Sequence, residues 1–326
     1  MTMRWPAEWE PHEAVWIGFP GNPKEWPEKL ADAQQEVAAF ANAICDHGNG
    51  ERTIIVCRDH GDGDRASELV DNHVEIFIEP FGDIWLRDTG PIITVNDHRK
   101  ARDFRFNGWG RKFDMAGDQD IGQRLAALID IPTISHDWVL EGGAIDGDGA
   151  GYLVTTEQCV LNPNRNKDMS KDQVSKNLKD ALNIENICWM GDGLIADHTD
   201  GHIDNLARFV AEGKVAIPKA DSEDDPNSAI FEDAAHRAAA AGLEVVRIPS
   251  VGKYEVEGSI APASYMNFYV GNIVVVVPQF GVPADDAAVV AIAELFSDRK
   301  AVGLSSRALL RGGGSFHCIS QQIPQL

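Results

Sequence analysis

No stretch of this chain approaches the roughly 20 uninterrupted apolar residues that a membrane-spanning helix needs. The opening Met1-Thr2-Met3-Arg4-Trp5-Pro6 runs into Ala7-Glu8-Trp9-Glu10 without the apolar core of a secretory signal. A soluble, cytoplasmic protein is expected. Basic residues are scarce: 29 Lys and Arg against 51 Asp and Glu leave a net charge of −22. A protein that grips phosphates needs a basic face to release counterions, so nucleic acid and an anionic membrane are disfavoured as partners. The acid excess suits a small cationic substrate, but solubility or a salt-adapted source explains it as well, because runs such as Asp221-Ser222-Glu223-Asp224-Asp225 read as solvated loops. The five cysteines are odd in number, scattered and without a C-x-x-C pair, which argues against a disulfide framework and a zinc ribbon. No Pro/Ser/Gly-rich linker or low-complexity stretch interrupts the chain, and 44% apolar residues can fill a large core. One domain, residues 1–326, is expected.

Four of the cysteines, Cys45, Cys57, Cys159 and Cys188, read as small buried hydrophobes; Thr53-Ile54-Ile55-Val56-Cys57 and Glu157-Gln158-Cys159-Val160-Leu161 are typical of their settings. Cys318 differs. It follows Arg311-Gly312-Gly313-Gly314-Ser315-Phe316-His317, and three consecutive glycines permit backbone conformations and close approaches that a Cβ would forbid. A thiol placed there is aimed at something.

One plan recurs along the chain. Asp88-Thr89-Gly90-Pro91 leads into Ile92–Val95. Glu141-Gly142-Gly143-Ala144-Ile145-Asp146 crosses Gly147-Asp148-Gly149 into Tyr152-Leu153-Val154. His202–Val210 turns at Glu212-Gly213 into Lys214–Pro218, and Tyr265–Val270 turns at Gly271-Asn272 into Ile273–Pro278. These are hairpin signals, with Gly and Asn supplying the φ values that tight turns need. Helical periodicity fills the intervals at about 26–44, 119–128, 170–182, 227–241 and 285–295. The spacing predicts about five strand-plus-helix units in a radial or stacked repeat, closed by the two chain ends together. If the polar residues occupy the same strand of each unit, a radial arrangement points them at one place.

Cysteine, histidine and carboxylates together form the kit for nucleophilic catalysis. Here, however, the carboxylates exceed what an acyl-transferring thiol requires, and acceptors repel a developing oxyanion. They fit a planar cation rich in N–H donors, of which a guanidinium is the commonest. Individually, Asp88 and Asp204 also read as turn or cap residues, Glu141 as the residue before a glycine turn, Trp85 as core and His12 as a hydrogen-bonded structural histidine. His317 and Cys318, as neighbours on an extended strand, would point to opposite faces, which favours His202 as the partner of the thiol. A rival reading takes His198, Asp200, His202 and Asp204 as ligands on one strand face of a metal-dependent hydrolase. A third is an inactive binding module.

At Trp85-Leu86-Arg87-Asp88-Thr89-Gly90-Pro91, Thr199-Asp200-Gly201-His202-Ile203-Asp204-Asn205-Leu206-Ala207-Arg208-Phe209, Gly312-Gly313-Gly314-Ser315-Phe316-His317-Cys318 and Pro6-Ala7-Glu8-Trp9-Glu10-Pro11-His12-Glu13-Ala14, the chain resembles the agmatine deiminase family. That family lies in the guanidine-modifying superfamily, with the bacterial-type peptidylarginine deiminases. The resemblance implies a five-bladed α/β propeller of pseudo-fivefold symmetry with its site on the central axis. It implies Cys318 as nucleophile, His202 as general acid and base, Glu141 orienting His202, and Asp88 and Asp204 gripping the guanidinium. Trp85 would lie along the substrate, with Asn267 and Asp200 as further polar site residues. The activity implied is conversion of agmatine to N-carbamoylputrescine and ammonia, in putrescine synthesis, without metal or organic cofactor. Peptidylarginine and free arginine are the alternative substrates, with Arg105, Arg111 and Lys112 available to a carboxylate, and a homodimer is left open. The family usually carries an acid where His198 stands, Asn where Ser315 stands and Trp where Phe19 stands.

Overall fold

The apolar runs Ile54-Ile55-Val56 and Val274-Val275-Val276-Val277 are buried on both sides as inner strands, as expected where a sheet is covered on each face. The computed structural model describes residues 3–113 and 115–326. It shows a mixed α/β chain built from a repeated unit: a short antiparallel pair, a crossover helix, then a strand parallel to the second.

The second sheet pairs Ile92–Val95 with Arg99–Arg105, crosses through the helix Ile121–Leu128, and adds Thr133–Val139 in parallel. The third uses Ile145–Gly147, Tyr152–Thr156, the helix Lys171–Leu182 and Asn186–Met190. The fourth uses Arg208–Ala211, Lys214–Lys219, Ser228–Ala240 and Glu244–Pro249. The fifth uses Tyr269–Val270, Val274–Gln279, Asp285–Leu295 and Lys300–Ser305. The first sheet joins the two ends of the chain: Ser320–Pro324 runs antiparallel to His12–Gly18, the helix Leu30–Cys45 crosses to Arg52–Cys57, and Glu75–Ile78 is a fourth strand. A separate two-stranded hairpin comprises Glu255–Val256 and Ser259–Ile260.

The helices fall close to their expected positions for local reasons. Pro20, Pro23 and Pro27, which lack the amide donor, hold the first helix back to Leu30 rather than residue 26. Ser170 and Gln173 form a reciprocal capping box at the head of Lys171–Leu182, and Asn183 ends it in the left-handed region at φ +57°. Its buried stripe Val174, Leu178, Ala181 and Leu182 packs into one hydrophobic cluster with Leu153 and Val160. Full burial of each Leu or Val there contributes about 1.5–3 kcal/mol. Among the described residues, no helix is long and apolar enough to cross a membrane.

The polar residues do not sit on strands. Asp88 lies in the single helical turn Leu86–Thr89, Glu141 precedes the 3-10 turn Gly142–Ala144, His202 and Asp204 belong to the turn around Ile203–Asn205, Asn267 ends the turn Tyr265–Asn267, and Cys318 lies in the turn before Ser320. The expectation of polar residues on one strand per unit is thus corrected. A strand would alternate their faces and leave backbone donors tied to a ladder, whereas a turn lets consecutive side chains and amides face the same space. Each turn touches the next in chain order. The amide of His317 donates to the Asn267 carbonyl, and the amide of Arg87 to the Cys318 carbonyl, so the fifth turn meets both the fourth and the first.

Candidate active site

The backbone before Cys318 behaves as the glycine run suggests. Gly313 adopts φ +114°, and a Cβ on Gly314 would stand 2.6 Å from the Trp85 ring and 3.1 Å from Cys318 Sγ. Residue 314 therefore packs between Trp85 and Cys318 because it has no side chain. Cys318 is 7% exposed and lines a cleft of about 350 Å³ with Asp88, Trp26, Trp85, Trp109 and Phe113. Lys24, His198 and Arg311 line its exposed part. The aromatic walls suit an aliphatic or planar ligand.

Asn267 clasps Cys318 from behind: its Nδ2 donates to Sγ at 3.0 Å, and its Oδ1 accepts from the Cys318 amide at 3.2 Å. It therefore positions the thiol and does not line the cleft. The thiol donates to Asp204 Oδ2 at 3.5 Å, and the same oxygen accepts from His317 Nδ1 at 2.8 Å. His317 and Cys318 lie in a turn, so the expectation that they face away from one another on a strand does not hold. His317 instead braces Asp204, and its Nε2 lies 2.9 Å from Glu8 Oε2. Glu8 also pairs with Arg208 at 3.0 Å and Arg87 at 3.3 Å and accepts from the Val270 amide. This buried network sets the back wall.

Asp88 is held by the Gly143 amide at 2.9 Å and by Trp109 Nε1 at 2.9 Å, and its Oδ1 lies 3.7 Å from His202 Nδ1. Gly143 has room for no side chain, since a Cβ would stand 2.7 to 3.0 Å from His202, Asp88 and Asp204. These three groups thus converge on one point. Two of them are left unsatisfied: Asp204 Oδ1 and both ring nitrogens of His202 are buried without a hydrogen-bond partner. Such groups are costly unless something arrives to pair with them.

The electrostatics agree. Burial, aided by Asp204 and Asp88, holds the Cys318 thiol well above its ordinary range. Burial alone would lower His202, but Asp88, Cys159 and Glu141 around it hold it well above its ordinary value. Burial, with Asp204 and Glu141 near by, raises Asp88 against the pull of His202 and Trp109. Burial opposes ionisation of Asp204 too, yet His317, His202 and Arg208 keep it below the usual carboxylate range. Together these shifts favour the proton on Cys318 and on His202 and the anion at Asp204, while Asp88 is drawn toward its protonated form.

Several expected residues stand elsewhere. Glu141 is buried near His202, but its Oε1 accepts from Arg165 Nε at 2.6 Å and makes no hydrogen bond to the imidazole. Asp200 does not line the cleft, because Lys112, Asn164 and Arg165 occupy its carboxylate at 2.5 to 2.9 Å. The proposed metal-ligand face of His198, Asp200, His202 and Asp204 does not form, since residues 197–201 turn, with φ +66° at Asp200 and +85° at Gly201. Among the described residues, the cluster with metal-ligand spacing is Glu141, Cys159 and His202, and the Arg165 cation on Glu141 opposes a second cation there. Arg105 is exposed and paired with Asp137, Lys112 is on Asp200, and neither they nor Arg111 line the cleft. Ser315 is buried and shares a 2.6 Å hydrogen bond with Ser306, while Phe19 is core. His12 is structural as expected, 3.0 Å from Glu51 and beside Tyr269. The reading missed Trp109, His317, Arg165 and the Glu8–Arg87–Arg208 network. Trp109 had a signal in Asn107-Gly108-Trp109-Gly110, a glycine-flanked aromatic at φ +50°.

Residues 4–324 match the profile of the Porphyromonas-type peptidyl-arginine deiminases. A "Putative agmatine deiminase" of Marinomonas sp. is 34% identical, over 99% of this chain and 94% of that protein. Among solved structures, the agmatine deiminase of Enterococcus faecalis superposes with TM-score 0.92 at 30% identity, covering 99% of this chain and 96% of the other. A C. jejuni agmatine deiminase with a cysteine-to-serine substitution and substrate bound gives 0.93 at 27%, covering 99% and 97%.

Proposed function

The chain belongs to the Porphyromonas-type peptidyl-arginine deiminase family, and from that premise we propose that it hydrolyses a small guanidino substrate, agmatine, to N-carbamoylputrescine and ammonia. The observation that carries this is the pair of carboxylates beside the thiol, with Asp204 Oδ1 buried and unpaired. A guanidinium supplies both the missing donors and the missing charge. The five units are read as blades of a propeller in a single domain of residues 1–326, with the turns at its axis.

With the guanidinium between Asp88 and Asp204, its charge offsets the carboxylates that hold the thiol protonated, and the Cys318 proton leaves toward Asp204 Oδ2. The thiolate attacks the guanidinium carbon. His202, protonated at rest, gives its proton to the departing nitrogen, the C–N bond breaks, and ammonia leaves an amidino-thioether cation. Water then attacks the same carbon and gives a proton to the now neutral His202. The C–S bond breaks, and loss of one proton yields the ureido product. Fixed carboxylates on a held cation provide the orientation that makes this one attack geometry rather than many. Trp85 lies along the substrate, and Trp109 fixes Asp88 from outside.

The parallel assay is ammonia release from agmatine, free arginine and a peptide ending in arginine. Release from agmatine is expected to dominate: none of Arg105, Arg111 and Lys112 reaches the cleft, Arg311 at its exposed part is paired with Glu257, and Lys24 there is next to Glu25, which also lines it. Turnover of the peptide alone overturns the substrate assignment, and no release from any of the three overturns the reaction.

A further inference from the structure

The reaction as derived leaves one buried polar neighbour of His202 unused. Cys159 is fully buried, and its Sγ, a Glu141 carboxylate oxygen and a His202 ring nitrogen lie within 4.8 Å of one another. Its place is built in. Thr156 Oγ1 accepts from the Cys159 amide at 3.3 Å and donates to the carbonyl of Gly201, immediately before His202, at 2.6 Å. The start of the helical turn Glu157–Val160 is thereby tied to the backbone that carries the imidazole.

The ring's other neighbours are committed. Glu141 is taken by Arg165, and Asp88 by Gly143 and Trp109, with its nearest oxygen 3.7 Å from Nδ1. Asp204 is taken on one oxygen by His317 and the Cys318 thiol. Both His202 nitrogens are buried and without a hydrogen-bond partner in the resting geometry, and the Cys159 sulfur lies beside the ring. The thiol thus brings a donor and an acceptor to a ring that has neither. Burial holds Cys159 above its ordinary range, so it stays a thiol and keeps its hydrogen.

We propose that Cys159 is a positioning residue for His202: its sulfur accepts from the ring while the imidazole is protonated, and its S–H donates to the bare nitrogen once the proton has gone to ammonia. The ring then keeps one orientation through both half-reactions. This rests on His202 being the acid and base of the proposed deimination. A purely space-filling Cys159 would serve as well as any group of its size.

The test separates the two. In a Cys318→Ser background, which prevents turnover, the His202 imidazole is titrated by NMR with labelled histidine across neutral and alkaline pH. Loss of an acceptor for the ring N–H disfavours imidazolium, so Cys159→Ala is expected to move the midpoint acid-ward by about half a pH unit or more, with Asp88, Glu141, Asp204 and Arg165 unchanged. In the active enzyme, Cys159→Ala is expected to lower kcat about tenfold with KM little changed, and Cys159→Ser, which retains a donor and an acceptor, to recover most of both. An unmoved midpoint in Cys159→Ala, or a Ser variant no better than Ala, overturns the proposal. Because the titration needs no turnover, an inactive parent enzyme would sink the functional reading while leaving this result interpretable.

Discussion

Cys318, the nucleophile of the proposed reaction, is held as the thiol until something changes its surroundings. Burial and the carboxylates of Asp204 and Asp88 hold its proton on, and only Asn267 and the local backbone oppose them. In the proposed reaction the cation to be attacked is also the charge that releases the thiolate, which would couple reactivity to occupancy. Alkylation reports this directly. Inactivation by iodoacetamide at neutral pH is expected to be slow for the free enzyme and several-fold faster with guanidinium ion present, because that ion fills the carboxylate pair without covering the sulfur from the cleft side. Equal rates would show that the thiol does not depend on the cation. His317 illustrates what residue-level reading could not supply. It is adjacent to Cys318 in sequence and stands behind it, on Asp204, because the turn carries both side chains inward.

At the scale of elements, the candidate site is assembled from five short turns, each just before the first strand of a unit. Hairpin and helix signals were readable from Gly/Asn turns and 3.6-residue periodicity, and the helices agree to within a few residues. The turns were mistaken for strand residues, since a four-residue helical turn such as Leu86–Thr89 is too short to show a period. The last turn depends on glycine in a way that can be measured. Gly314→Ala would force its Cβ against Trp85 and the Cys318 side chain, neither of which is free to retreat in a buried wall. Activity is expected to fall about 10²-fold or more, with a stability loss of about 1–3 kcal/mol by denaturant unfolding. Wild-type kcat/KM in that variant would show that the close packing of residue 314 against Trp85 and Cys318 is not required.

For the whole molecule, the acid excess is not confined to the surface. Burial, with Glu25 and Asp118 near by, raises Asp83 to about 7, and burial raises Asp118 to about 6. The unfolded chain holds these protons only below about 4. Between those limits the folded protein binds more protons than the unfolded one, so stability rises as pH falls from 8 toward 5. The raised His202 acts in the same direction, whereas Glu8, held well below its ordinary value against burial by Arg208, His317 and Arg87, loses its contribution only in stronger acid. Asp83→Asn is expected to raise the calorimetric Tm at pH 8 by roughly a few degrees and to flatten its pH dependence; an unchanged slope would place the titration elsewhere. By itself, the sequence determined the thiol after the glycine run, the surplus of carboxylates that a cation would fit, the helices and the number of units, because each is written in residue type or in a short-range period. The tertiary structure alone decided that Glu141 pairs with Arg165, that Asp200 lies outside the cleft, and that Glu8, His317 and Cys159 stand behind Asp204 and His202. Those are contacts between turns up to some 300 residues apart, and only the packing of the units against one another determines which buried polar atom meets which.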